Sequence, residues 1–182
     1  MLKNKLILAS TMLICIIALG IGTTVAFLTH LAGPIDNTFI IGEIDMTLEE
    51  TAGNKYQLIP GNTYKKDPTV TVKSGSVDCW IFVEITKTAN PDAYLDYSVA
   101  EGWFPLTGHS GIYYRSVSDI TEDVSFEVLS GNSITVKETL TKEVMQGITD
   151  TPRLTFTAYA IQSQGLETAA AAYNALLLAK GD

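Results

Sequence analysis

Between Val77 and Thr86 the side chains alternate without a break. Val77, Cys79, Ile81, Val83 and Ile85 fall on one face, and Asp78, Trp80, Phe82, Glu84 and Thr86 on the other. A second run, Arg153–Gln162, sets Leu154, Phe156, Ala158 and Ala160 against Thr155, Thr157, Tyr159 and Ile161. Successive side chains of a strand point to opposite faces, so a period of two in β-branched and aromatic residues signals sheet and argues against helix. Shorter candidate strands follow at Thr38–Leu48, Thr69–Lys73, Tyr94–Val99, Gly111–Ser116, Val124–Leu129 and Ser133–Leu140. They are separated by turn formers such as Ala52-Gly53-Asn54, Pro60-Gly61-Asn62, Asn90-Pro91-Asp92 and Ser130-Gly131-Asn132. Many short strands with this punctuation predict an all-β, jelly-roll-like antiparallel β-sandwich rather than a parallel α/β sheet.

The two ends of the chain have different periods. From Glu167 to Lys180 there is no Gly or Pro, and Leu166, Ala169, Ala170, Tyr173, Leu176 and Leu177 recur at three- and four-residue steps. That spacing predicts a short C-terminal helix over 167–180, ended by Gly181. At the other end, Lys3 and Lys5 precede an apolar run, and small residues stand at Thr24 and Ala26. This is the order of a secretory signal peptide, an N-terminal signal helix over residues 1–26 with cleavage between Ala26 and Phe27. An uncleaved membrane anchor is the rival reading, since no charge interrupts Leu6–Leu31. Export places the rest outside the cytoplasm, with a membrane contact only through an uncleaved signal. The remainder divides into an N-terminal segment, 27–38, and one sandwich domain, 39–182.

Cleavage removes 26 of 182 residues and two lysines, so ten basic residues face twenty acidic ones, a formal charge of −10. Such a chain is poorly matched to nucleic acid, whose affinity rests on Lys and Arg neutralising phosphates. Cys15 leaves with the signal, and Cys79 then has no intrachain partner, so it reads as a small buried hydrophobe or as a thiol that couples two chains. The search for catalytic chemistry finds His30 and His109 far apart, with no His-Glu-x-x-His pair, no Gly-x-Ser-x-Gly elbow and no phosphate loop. No enzyme activity, cofactor or metal site is expected. The acidic pairs Glu49-Glu50, Glu122-Asp123 and Asp92–Asp96 lack the oxygen-ligand spacing of a calcium loop and read as solvated edges. The aromatics Trp103, Phe104, Tyr113 and Tyr114 flank a glycine-rich turn. They either fill the end of the sandwich or form a binding surface for sugar or protein.

The N-terminal residues carry a resemblance. Gly22-Thr23-Thr24-Val25-Ala26-Phe27 at the cut and Asn37-Thr38-Phe39-Ile40-Ile41-Gly42-Glu43-Ile44-Asp45-Met46 after it resemble the TasA/camelysin group of exported proteins. Pro60-Gly61, Lys66-Asp67-Pro68-Thr69-Val70, Gly102-Trp103 and Thr157-Ala158-Tyr159-Ala160-Ile161-Gln162 are similar to members of clostridial type. The resemblance implies a jelly-roll domain at the surface of a Gram-positive bacterium, released by a dedicated SipW-type signal peptidase. It also implies a biofilm-matrix role, in which subunits form fibres with themselves or related matrix proteins by donating an N-terminal strand. Phe27, Leu28, Leu31 and Ile35 would be the apolar residues of that strand, with an ordinary flexible tail as the alternative. A monomeric surface binding or adhesion module is the other functional reading. The peptidase label that accompanies the family name is not carried over, because no zinc motif is present.

Overall fold

The computed structural model describes residues 29–32, 44–53 and 55–181. The signal segment 1–26, the residues Phe27, Leu28 and Ile35, and most of Thr38–Leu48 lie outside them.

The longest strands organise the fold. Cys79–Thr88 (β5) and Arg153–Gln162 (β11) pair antiparallel along their whole length, from Arg153 opposite Thr88 to Gln162 opposite Cys79. Ile112–Val117 (β8) joins the free side of β5, and Phe104–Pro105 (β7) caps β8. Thr29–Ala32 (β1) lies on the free side of β11, which completes a five-stranded sheet in the order β1-β11-β5-β8-β7.

Two smaller antiparallel sheets make the opposite layer. Met46–Glu49 (β2), Thr69–Val72 (β4) and Val124–Glu127 (β9) form one, in the order β2-β4-β9. Thr63–Lys65 (β3), Ser133–Val136 (β10) and Leu95–Asp96 (β6) form the other, in the order β3-β10-β6. The architecture is therefore the all-β antiparallel sandwich with a C-terminal helix that the alternation implied.

Alternation decides which side chain meets which layer. Cys79, Ile81, Val83 and Ile85 of β5 and Phe156, Ala158 and Ala160 of β11 pack inward on Met46, Val70, Val72 and Ile134. The other face of the same strands presents Phe82, Tyr159 and Ile161 to a helix, Ala169–Lys180 (α2), which buries Ala172, Tyr173 and Leu176 there. Thr168 starts α2 by accepting the Ala171 N–H on its side-chain oxygen, and Gly181 ends it at φ 78°. Within the expected stripe Ala170 is exposed and Ala172 is buried in its stead.

Several boundaries differ from expectation for local reasons. β5 begins two residues late and runs on to Thr88, because its ladder to β11 continues through exposed Lys87 and Thr88. Tyr94–Val99 keeps only Leu95–Asp96 as strand, plus a single bridge from Val99 to Leu129. Three elements carry no periodic signal: three-residue β3, two-residue β7 and the five-residue helix Lys142–Gln146 (α1), which Thr141 caps.

One core contact has a strict steric condition. The Arg115 guanidinium lies 5.3 Å from the Trp103 ring centroid and 4.3 Å from that of Phe126, and its Nε donates to the Gly102 carbonyl at 3.0 Å. Gly102 has φ 86°, and a Cβ there would sit 1.8 Å from Arg115 Nη2. Gly108 has a similar φ, 84°, with nothing near a Cβ. Gly108→Ala should therefore cost only the backbone penalty, about 1 kcal/mol. Gly102→Ala must also expel the guanidinium, and should cost about 3 kcal/mol, a Tm decrease of roughly 6–12 °C by thermal unfolding.

Candidate functional site

The four aromatics proposed as one surface do not share a face. Trp103 is 6 % exposed, donates its indole N–H to the Glu127 carbonyl at 2.8 Å and stacks edge-on to Phe126. Tyr113 packs on the same inner core. Phe104 and Tyr114 stand on the opposite face of the sheet, 5.8 Å apart, and Phe104 is 57 % exposed. Trp80 extends this pair, 5.9 Å from Tyr114. Neighbouring residues in a strand point oppositely, so two adjacent aromatics cannot both face outward. Trp80 belonged with Phe104 and Tyr114 all along, and the register that unites them is a long-range fact.

Each acidic pair has a member held by a lysine. Glu50 holds the Lys66 ammonium with both oxygens at 2.7 Å, Asp123 pairs with Lys73 at 2.9 Å, and Asp92 pairs with Lys87 at 2.6 Å. Among the described residues, no three His, Cys, Asp or Glu side chains converge. His109 stacks on Tyr173 of α2 at 4.8 Å, while the side chain of His30 is outside the described residues. Cys79 is fully buried, and that burial pushes its thiol up to about 12, which leaves it protonated and unreactive in the folded chain.

Two features of β11 stand out instead. The first is its outer edge. β1 covers only Ala158–Ile161, with Thr29 opposite Ile161 and Ala32 opposite Ala158. Of the apolar residues proposed for a donated strand, only Leu31 falls in β1, opposite Tyr159. Arg153–Thr157 have a strand partner on the β5 side alone among the described residues.

The second feature is a cleft of about 970 Å³ lined at one side by Arg153, Leu154 and Thr155. Leu154, Ile134 and Val136 line it, and Tyr56 and Tyr64 form one wall with rings 5.3 Å apart. Lys66 crosses its inner end, 92 % buried from solvent, with its ammonium 5.5 Å from the Phe156 ring and 5.9 Å from that of Tyr56.

The wall carrying Tyr56 is pinned by Asp67. Its carboxylate accepts the Thr51 and Ala52 N–H groups at 3.1 and 2.8 Å and the Thr51 hydroxyl, and pairs with Lys65 at 2.8 Å. The Lys65 ammonium and the Thr51 hydroxyl hold the Asp67 carboxyl well below the usual carboxylate range, against the opposing effect of burial.

Comparison with protein-family models, with curated proteins and with solved structures gave no match for this chain.

These placements predict two contrasts. Trp103→Ala should destabilise by about 3–5 kcal/mol in denaturant unfolding, whereas Phe104→Ala on the surface should cost less than about 1 kcal/mol. Asp67→Asn should lose about 2 kcal/mol at neutral pH, because backbone donors lose a charged acceptor. The folded carboxyl titrates below its unfolded value, so the unfolded state binds more protons and the stabilisation is present above about pH 4. It should fade as pH falls through the folded pKa, and unfolding curves of the two proteins should converge in strong acid.

Proposed function

We propose that this chain is an exported surface or matrix protein without enzymatic activity, which assembles by exchanging β1 between copies. The observation that carries the reading is the place of β1: a four-residue strand on the open edge of β11, starting two residues beyond the expected N-terminus Phe27. Exchange of such a strand costs little, because a second copy offers β11 the same main-chain partners that its own segment does. A head-to-tail exchange whose rotation does not close into a ring produces filaments. The signal sequence and the resemblance to exported TasA/camelysin proteins support the compartment, and a signal peptidase would set the free end on which exchange depends.

Two protein samples test this. A mature chain beginning at Phe27 should form filaments visible by electron microscopy, and one beginning at Thr38 should stay monomeric. His30→Cys with Ala160→Cys, which are opposite in the ladder, should give a ladder of disulfide-linked oligomers on oxidation. A single monomeric band with an internal disulfide, together with monomeric mature protein, would sink the proposal.

A further inference from the structure

A surface helix normally carries charged side chains on its outer face, and α2 does not. It buries Ala169, Ala172, Tyr173, Ala175 and Leu176, yet no charged residue stands anywhere from Thr168 to Ala179. Its outward stripe is Ala170, Ala171, Asn174 and Leu178, all of them exposed. Leu178 is 80 % exposed, the most open of the large apolar side chains among the described residues. In a chain with twenty acidic and twelve basic residues, this helix is a neutral window at which two like-charged copies can approach.

The stripe is complementary to itself in one orientation. Ala170 and Leu178 each lie four residues from Asn174, on the same side of the helix. A two-fold axis through Asn174 therefore sets each Leu178 on the partner's Ala170, and each Asn174 against its own copy. Alanines let two helix axes come within about 8 Å, and leucine fills the space they leave. An asparagine amide both donates and accepts, so the two central side chains can satisfy each other. Charge selects the same orientation. Glu167 precedes the helix and Lys180 ends it, both exposed, and antiparallel helices bring each Glu167 toward the partner's Lys180. Parallel helices would instead set Glu167 on Glu167 and Leu178 on Leu178.

We infer that the outer face of α2 is a self-association surface, at which two copies of this chain pair helix to helix, antiparallel about Asn174. A twelve-residue helix is about 18 Å long, so the contact is smaller than a standard interface and belongs with the weak, reversible ones. It lies over the outer face of the large sheet, away from the ladder between β1 and β11, and it does not depend on strand exchange.

Disulfide trapping in the mature protein tests the pairing. On mild oxidation Asn174→Cys should give a covalent dimer on a non-reducing denaturing gel, where copies joined only by strand exchange fall apart. Cys79 is fully buried and adds no bond of its own. Ser118→Cys, exposed and outside the stripe, is the control and should give several-fold less dimer. Leu178→Cys alone should stay near the control, whereas its mixture with Ala170→Cys should give the heterodimer. Adding Leu178→Glu to Asn174→Cys should reduce the dimer to the control level while the Tm stays that of the parent, because Leu178 is exposed. A dimer from Asn174→Cys no stronger than the control, an equal one from Leu178→Cys alone, or no loss with Leu178→Glu would each overturn the proposal. So would sedimentation of the wild-type protein with phosphatidylcholine vesicles that Leu178→Glu abolishes, which would assign the face to a lipid surface.

Discussion

The ten-pair ladder between β5 and β11 is the constraint on which the other elements depend. It is the one stretch where two long strands remain paired through every residue, and it has two buried faces. On the inner face Ile81, Val83, Ala158 and Ala160 leave no room for misregister, because a shift of one residue would turn Phe82 and Tyr159 into the core and the small residues out. The remaining strands of that sheet add to its margins, and the two smaller sheets and α2 close over its faces. Cys79 shows the same logic at small scale: a thiol with no partner is tolerated because it occupies a tight inward position as an apolar group.

How much of this was legible in the sequence follows from where the determining contacts lie. Arg153–Gln162 has the boundaries that its alternation gives, because nothing interrupts the period until the turn before Gly165. β3 and β7 were invisible, since three or two residues cannot establish a period, and each exists only as an addition to a neighbour already in place. In α2 the distinction between Ala170 and Ala172 could not be read, because both residues are alanine and only the position of the sheet decides which is covered. The aromatic cluster was half legible. Phe104 and Tyr114 were found, but Trp80 lies 24 residues before Phe104 in the chain and joins them through the β5–β8 register. The cleft could not have been read at all, since its walls come from segments on both sides of the sandwich.

The two edges of the large sheet are managed differently. At one, Pro105 has no N–H to offer, and β7 ends the sheet after two residues. At the other, β1 pairs with Ala158–Ile161 of β11, and the strand begins with a charged residue, Arg153.

The strand order also bears on the time at which the sheet can exist. β11 separates β1 from β5, yet it is the last strand to leave the ribosome, more than sixty residues after β5. Until residues 153–162 are present, β5 lacks its longest partner, β1 has nothing to pair with, and α2 has no platform. The two smaller sheets and the β5–β8–β7 part of the large one consist of earlier residues, so a nascent chain short of this point has one layer's strands in hand but only part of the other. Closure of the large sheet and docking of the helix wait for the C-terminal thirty or so residues.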